Sequence, residues 1–244
     1  MRSGGRAWVI GALACSVVLA GCTSTVRGSA TAADGPSAAR SAVSTPPDVA
    51  HLEAALPQLS DVADLPGGWS DGFGVATDDW TRPALTDCLG GGTTTADRLL
   101  VRGGQVLGDQ YDHRVQSMVV SYRSQQVVDD DNAMLTSVAA AACFTQIFEE
   151  QTEAAHPGEA DLGPVTLLVA PHDGSEPSNV VATVSGSFTV TRPTGEVFPA
   201  YFDLVFLTGR MTEAQLILQS PGAPFPSDAR ERLIAAMTQR LAVL

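Results

Sequence analysis

Asn179-Val180-Val181-Ala182-Thr183-Val184-Ser185-Gly186-Ser187-Phe188-Thr189-Val190-Thr191-Arg192 is the stretch on which the reading of the fold turns. It is rich in β-branched residues, and Ala182-Thr183-Val184-Ser185 alternates apolar with polar, the period of a half-buried strand. Pro193-Thr194-Gly195 supplies turn chemistry. A second run follows, Glu196 to Thr208, centred on Phe202-Asp203-Leu204-Val205-Phe206. Gly209-Arg210 turns the chain into a third run, Thr212 to Gln219, and upstream Pro164 to Ala170 adds a fourth, set off by Pro171-His172-Asp173-Gly174. Strands joined by short turns predict an antiparallel meander with one wet face. Pro199 inside its run predicts an edge or a bulge at the start of that strand. Pro221-Gly222-Ala223-Pro224-Phe225-Pro226 then breaks the pattern. Ser227-Asp228 is predicted to cap a last helix, whose Leu233, Ile234, Met237, Leu241 and Leu244 are spaced to cover one sheet face.

Working back toward the N-terminus, Ala96 to Val106 and Arg114 to Tyr122 are strand candidates, the first weakened by Gly103-Gly104. The polar residues Gly108 to His113 join them. Asp129-Asp130-Asp131-Asn132 lacks the alternate ligands and central glycine of a calcium loop. It is read instead as the cap of a helix running from about Asn132 to Glu153. On that helix Leu135, Val138, Ala139, Ala142, Cys143 and Ile147 form one stripe; Phe144 and Phe148 lie off it and require a second contact surface. His156-Pro157-Gly158 ends the helix. Nearer the N-terminus, Pro47 to Leu56 is a short helix stopped by Pro57, Leu59 to Leu65 gives a further turn, and Pro66-Gly67-Gly68 precedes Trp69. Trp69 and Trp80 are read as core anchors. Gly90-Gly91-Gly92 has neither the preceding strand nor the following helix that a phosphate cradle needs, so it is read as a mobile loop beside Cys88. The order helix, two strands, long helix, four strands, helix contains no β-α-β repetition. It predicts an α+β fold over residues 47–244, with helices packed on an antiparallel sheet of about five to six strands.

Arg2 and Arg6 precede an apolar run, Ala7 to Ala20, that closes on Leu19-Ala20-Gly21-Cys22. This is the order of a charged region, an apolar region and a small-residue cleavage site, and the run is shorter than the roughly twenty residues of a membrane-spanning helix. A cysteine directly after the small residues resembles the lipobox of bacterial lipoproteins. That resemblance implies cleavage before Cys22 and a diacylglyceryl group on its sulfur. Residues 1–21 are then the signal peptide, and Cys15 leaves with it. Residues 22–46, mostly Ser, Thr, Ala, Gly and Pro, cannot bury enough surface to offset their ordering entropy and read as a flexible tether.

Composition narrows the function classes. All 14 basic residues are arginine, against 27 acidic ones. Loss of Arg2 and Arg6 leaves a net charge of −15, which repels a phosphate backbone and predicts no nucleic-acid partner. Without lysine there is no P-loop lysine, Schiff base or Ser-Lys dyad. The four histidines, His51, His113, His156 and His172, fall in no zinc pattern. Ser185-Gly186-Ser187 sits in a strand, the wrong context for a strained nucleophile, and Glu149-Glu150 falls on a helix's polar side. These readings predict a non-enzyme with no catalytic residues, metal ligands or cofactor. With Cys22 lipidated, Cys88 and Cys143 make an even pair that an oxidising compartment would join, a bond stabilising by about 4 kcal/mol in the chain-entropy model. Two separate buried thiols is the alternative.

The lipobox, the tether, Leu65-Pro66-Gly67-Gly68-Trp69, Asp87-Cys88-Leu89 and the Ala-rich helix bearing Cys143 together resemble actinobacterial, mycobacterial-type envelope lipoproteins. The domain is also similar to the extracellular sensor domain of mycobacterial receptor Ser/Thr kinases. That resemblance implies an α+β domain with a ligand groove and no catalytic residues to carry over. Of the two disulfides usual there, this chain has cysteines for one. Three functions are expected in order: a lipid-anchored binding or sensor-like module on the extracytoplasmic face of the cell membrane; an envelope interaction or assembly factor; a cell-wall or lipid hydrolase. The expected partners are the membrane, through the lipid anchor, and a small apolar ligand or an envelope protein. An apolar groove is expected between the sheet and the Asn132–Glu153 helix.

Overall fold

The computed structural model describes residues 46–76, 81–90, 95–155, 161–171 and 177–244. In chain order the elements are α1 (Val49–Ala55), a 3-10 turn at Leu59–Asp61, α2 (Thr81–Leu89), a 3-10 turn at Thr95–Asp97, β1 (Arg98–Gly103), β2 (Leu107–Gly108), β3 (Arg114–Tyr122), α3 (Gln125–Leu135), α4 (Val138–Ala155), β4 (Asp161–Leu162), β5 (Thr166–Pro171), β6 (Val180–Thr191), β7 (Val197–Gly209), β8 (Thr212–Pro221) and α5 (Ser227–Leu241). The fold is α+β. Its antiparallel sheet runs β1-β3-β8-β7-β6-β4, with β2 also paired to β3 and β5 to β6. The six long strands are the six sequence candidates. The two-residue strands β2 and β4 raise the count to eight.

The expected wet face is not found at the centre of the sheet. On β7, Phe202, Leu204 and Phe206 pack toward α4, while Val205 and Leu207 join the cluster built with α1 and α5. Leu216 and Leu218 of β8 belong to that second cluster as well. Both faces of the central strands are therefore buried, which is why the alternation of Phe202 to Phe206 is imperfect: a strand covered on two sides has no reason to place a polar residue at every second position. Pro199 sits in a central strand rather than an edge strand. The missing N–H is tolerated because β7 outruns β8 there: pairing with β8 starts at Ala200↔Pro221, and the amide of Gly222 donates to the Pro199 carbonyl at 2.7 Å.

The long helix differs from expectation. Asp129 to Asn132 do not cap it; they lie inside α3, whose N-cap is Ser124. Gln125 and Gln126 donate to Asp129 and Asp130 at 2.9 and 2.8 Å, and such i,i+4 bonds hold these acidic residues in helix. The chain breaks at Thr136-Ser137, where the Thr136 hydroxyl donates to the Asn132 and Ala133 carbonyls. The break resets the helical phase, so the stripe counted from Leu135 does not carry into α4. Val138 is 98% exposed and Ala139 and Ala142 face solvent, whereas Ala140, Cys143, Phe144, Ile147 and Phe148 are buried. The two phenylalanines thus lie on the inward face and need no second surface.

The first and last helices begin differently. Asp48 caps α1 by accepting from the His51 amide at 3.1 Å. That bond, with the one to the His51 ring, holds the Asp48 carboxyl below the ordinary aspartate range. At α5 the N-cap position is Pro226 rather than Ser227, with no side-chain cap bond. Asp228 accepts from the Ala229 amide at 2.9 Å. Leu233, Ile234, Met237 and Leu241 are buried against the sheet as their spacing predicts. Arg240 ties this helix to the start of the domain, donating to both carboxylate oxygens of Asp61 and to the Leu56 carbonyl.

Candidate functional site

Cys88 and Cys143 are joined, with Cα atoms 5.8 Å apart across 55 residues of sequence. Cys88 lies on α2 rather than on a loop, a helix the sequence reading missed because Thr81 to Leu89 is short and weakly amphipathic. The bond fastens α2 to α4. Leu85, one turn earlier on α2, is fully buried. Gly90 stops the helix at φ +69°, the left-handed conformation that glycine adopts at helix ends. Cys22, the tether up to residue 45, Trp80, Gly91-Gly92, His156 and His172 lie outside the described residues.

The remaining acid–base chemistry gathers around Asp109 and His113. Asp109 is buried and accepts from the amides of Tyr111 and His113 at 2.9 and 3.1 Å and contacts His113 Nδ1 at 2.8 Å. Trp69, Tyr111 and Phe225 surround the imidazole, with ring centroids 6.4, 6.1 and 5.6 Å away. Trp69 is 7% exposed, as a core anchor should be. Of the two glycines before it, Gly67 makes room for Asp109: it has φ +115°, and a Cβ on it would overlap the Asp109 carboxylate. Among the described residues no serine, threonine or cysteine bonds to His113. The Asp–His pair pins the turn between β2 and β3 to the Pro66-Gly67-Gly68-Trp69 segment. Sequence reading did not pair these two residues; their i,i+4 spacing beside a glycine-rich turn was the available signal.

Ser185 donates to Asp203, which Arg230 approaches at 3.6 Å, so this serine is held by a carboxylate with no histidine beside it. Glu149 and Glu150 are exposed. Asp131, Glu213 and Gln215 are buried, each in hydrogen-bonding or electrostatic contact with neighbours. Among the described residues no three His, Cys, Asp or Glu side chains converge as metal ligands, and no helix is long and apolar enough to cross a membrane.

The groove expected between the sheet and α4 is filled. Phe148 stacks on Phe202 at 4.4 Å and Phe144 packs on Phe206 at 5.7 Å. A cleft of about 380 Å³ opens elsewhere, where the end of α5 meets the β7–β8 turn and the residues before β6. Asn179, Thr208, Arg210, Thr238, Leu241 and Leu244 are among its lining. Beneath its surface the Asn179 amide and the Thr238 hydroxyl are buried without a protein partner. Its lining mixes the polar side chains of Asn179, Thr208, Arg210 and Thr238 with the apolar ones of Leu241 and Leu244.

No family model matches the chain, and no curated protein matches it. Among solved structures it is similar to the extracellular domain of PknH from Mycobacterium tuberculosis, at 15% identity, over 82% of this chain and 99% of that chain, with a TM-score of 0.46.

Proposed function

We propose that this protein is a lipid-anchored, non-catalytic binding or sensor-like module on the extracytoplasmic face of the cell membrane. Residues 1–21 are removed, Cys22 carries the lipid, residues 22–46 are the tether, and the domain from residue 47 onward is the working part. The observation that carries this reading is Leu19-Ala20-Gly21-Cys22 at the end of an apolar run too short to span a bilayer. The joined Cys88 and Cys143 fit an oxidising compartment. An Asp–His pair spent on packing, together with a mixed polar and apolar cleft beside α5, fits binding better than catalysis. The test is metabolic labelling with a clickable fatty acid, followed by membrane fractionation. The wild-type chain should take up label and sediment with membranes; Cys22→Ala should do neither. An unlabelled wild-type chain with a free Cys22 thiol would refute the anchor. Native mass spectrometry of protein purified from its host then asks whether a small molecule travels with it.

A second reading, an envelope interaction or assembly factor, is favoured by one feature. Phe73 and Val75 stand 46% and 48% exposed, two apolar side chains close together on the segment after Trp69. Crosslinking from Phe73 in cells separates the two: a specific protein adduct supports the second reading, and none supports the first.

A further inference from the structure

We propose that the Cys88–Cys143 bond is a redox-sensitive clip that holds α2 on α4, opened by a dithiol reductant that attacks Cys88, while the sheet stays folded. The two cysteines are unequally exposed: Cys88 is an exposed residue and Cys143 is 6% exposed. Thiol–disulfide exchange begins at the sulfur a thiolate can reach. Apart from this bond the described side chains of α2, residues 84–89, give little to keep it in place. It pairs with no strand, its main neighbour is α4, and of those side chains Leu85 is the one fully buried, with Ala84 and Leu89 only partly buried. Nine residues are too few to persist as an isolated helix in water, and one buried leucine does not offset the ordering entropy of nine residues. Cys143 packs with Phe202, Leu204 and Phe206 on the α4 side of the sheet, but the sheet and α5 have support that does not pass through the disulfide. Their strands are paired along their length and their core on the α5 side contains neither cysteine.

The exchange balances in two steps. A thiolate of the reductant forms a bond to Cys88 Sγ as the Cys88–Cys143 bond breaks, and the electron pair leaves on Cys143 Sγ, which takes up a proton. The reductant's second thiol then attacks the mixed disulfide, closes its own disulfide and releases Cys88 as the second thiol. The chain gains two electrons and two protons; the dithiol loses both. Opening removes α2 from the α4 surface around Cys143 and Ile147, uncovering apolar area that is absent from the oxidised surface. The lipid anchor is not involved, so failure of the clip leaves the anchored-module reading untouched.

The test is hydrogen exchange on the full mature chain in detergent micelles, oxidised and after complete reduction checked by intact mass. Amides of Thr81–Leu89 should exchange at least about tenfold faster on reduction, while β7 and β8 keep their protection. Acid-quenched exposure of the oxidised chain to reduced glutathione should place the mixed disulfide on Cys88. The double variant C88S/C143S should show fast α2 exchange from the start and no response to reductant. Unchanged α2 exchange in the fully reduced chain, loss of sheet protection in parallel with α2, or glutathione on Cys143 would each overturn the clip. Should the double variant fail to fold, reduction of the wild-type chain still decides the matter.

Discussion

Substituting Gly186 by alanine tests the packing that sets α4 against the sheet. Gly186 lies in β6 opposite Leu167 of β5 and Phe202 of β7. A Cβ built there would sit 2.6 Å from Leu167 Cδ2 and nearer still to the edge of the Phe202 ring. Phe202 is not free to retreat, because its face stacks on Phe148 of α4 and Phe188 lies at 6.3 Å on another side. Overpacking of a dense core costs about 1–3 kcal/mol, and a displaced aromatic pair forfeits about 0.5–1.5 kcal/mol. Alanine's entropic advantage over glycine returns about 0.5 kcal/mol. The expected net loss for Gly186→Ala is about 2.5 kcal/mol, or a fall in Tm of about 5–10 °C for a body of this size. Urea unfolding followed by tryptophan fluorescence and far-UV circular dichroism measures it. The sharper reading is a double-mutant cycle with Phe202→Leu, which shortens the side chain that the new methyl meets. The double variant should be more stable than the sum of the singles by at least about 1 kcal/mol. A Gly186→Ala chain within about 0.5 kcal/mol of wild type, or an additive cycle, would refute the claim that this glycine is chosen for the space Phe202 needs.

Asp109→Ala leaves two amides and an imidazole nitrogen without their acceptor and should cost about 3 kcal/mol in urea unfolding, with Trp69 fluorescence shifting as the turn loosens. Arg240→Ala removes the two bonds to Asp61 that join α5 to the chain's start and should cost about 2 kcal/mol, with hydrogen exchange rising first around Leu59–Asp61. Asp64 is held below the ordinary carboxylate range chiefly by its hydrogen bond from Arg232. A depressed folded value means the pair's contribution is present above the unfolded value of about 3.9 and lost as pH falls through the lower folded one. Carbon-13 detected titration should therefore show Asp64 protonating below the ordinary aspartate range, and Arg232→Gln should raise it; an Asp64 that Arg232→Gln leaves unmoved would mean the exposed pair does not form in solution.

How much of this was legible in the sequence depended on where the controlling contact lies. The six long strands could be read because β-branched runs between Pro-Gly turns carry their own signal, and Pro193-Thr194-Gly195 and Gly209-Arg210 mark ends locally; the first candidate, read from Ala96 to Val106 across Gly103-Gly104, is shorter, Arg98–Gly103. The inward face of α5 was legible for the same reason: one uninterrupted helix keeps its phase from Leu233 to Leu241. The α3–α4 region was not. At its break a threonine hydroxyl turns back on the preceding carbonyls, and two residues of interruption rotate everything after them, so Phe144 and Phe148, read as needing a second contact surface, share one inward face with Cys143 and Ile147. The groove failed with them, since it was drawn over a face those rings occupy. The Cys88–Cys143 pairing followed from counting cysteines, whereas the helix under Cys88 did not, because α2 is held by a bond and one leucine rather than by a periodic face. The candidate site was least legible of all. Asn179, Thr208, Arg210, Thr238 and Leu244 come from four separate stretches and share no pattern until the sheet and α5 bring them together. A sequence announces a site when its chemistry needs a fixed local spacing. A cleft lined by scattered polar groups on an already stable frame has no such spacing, and it is seen only in the fold.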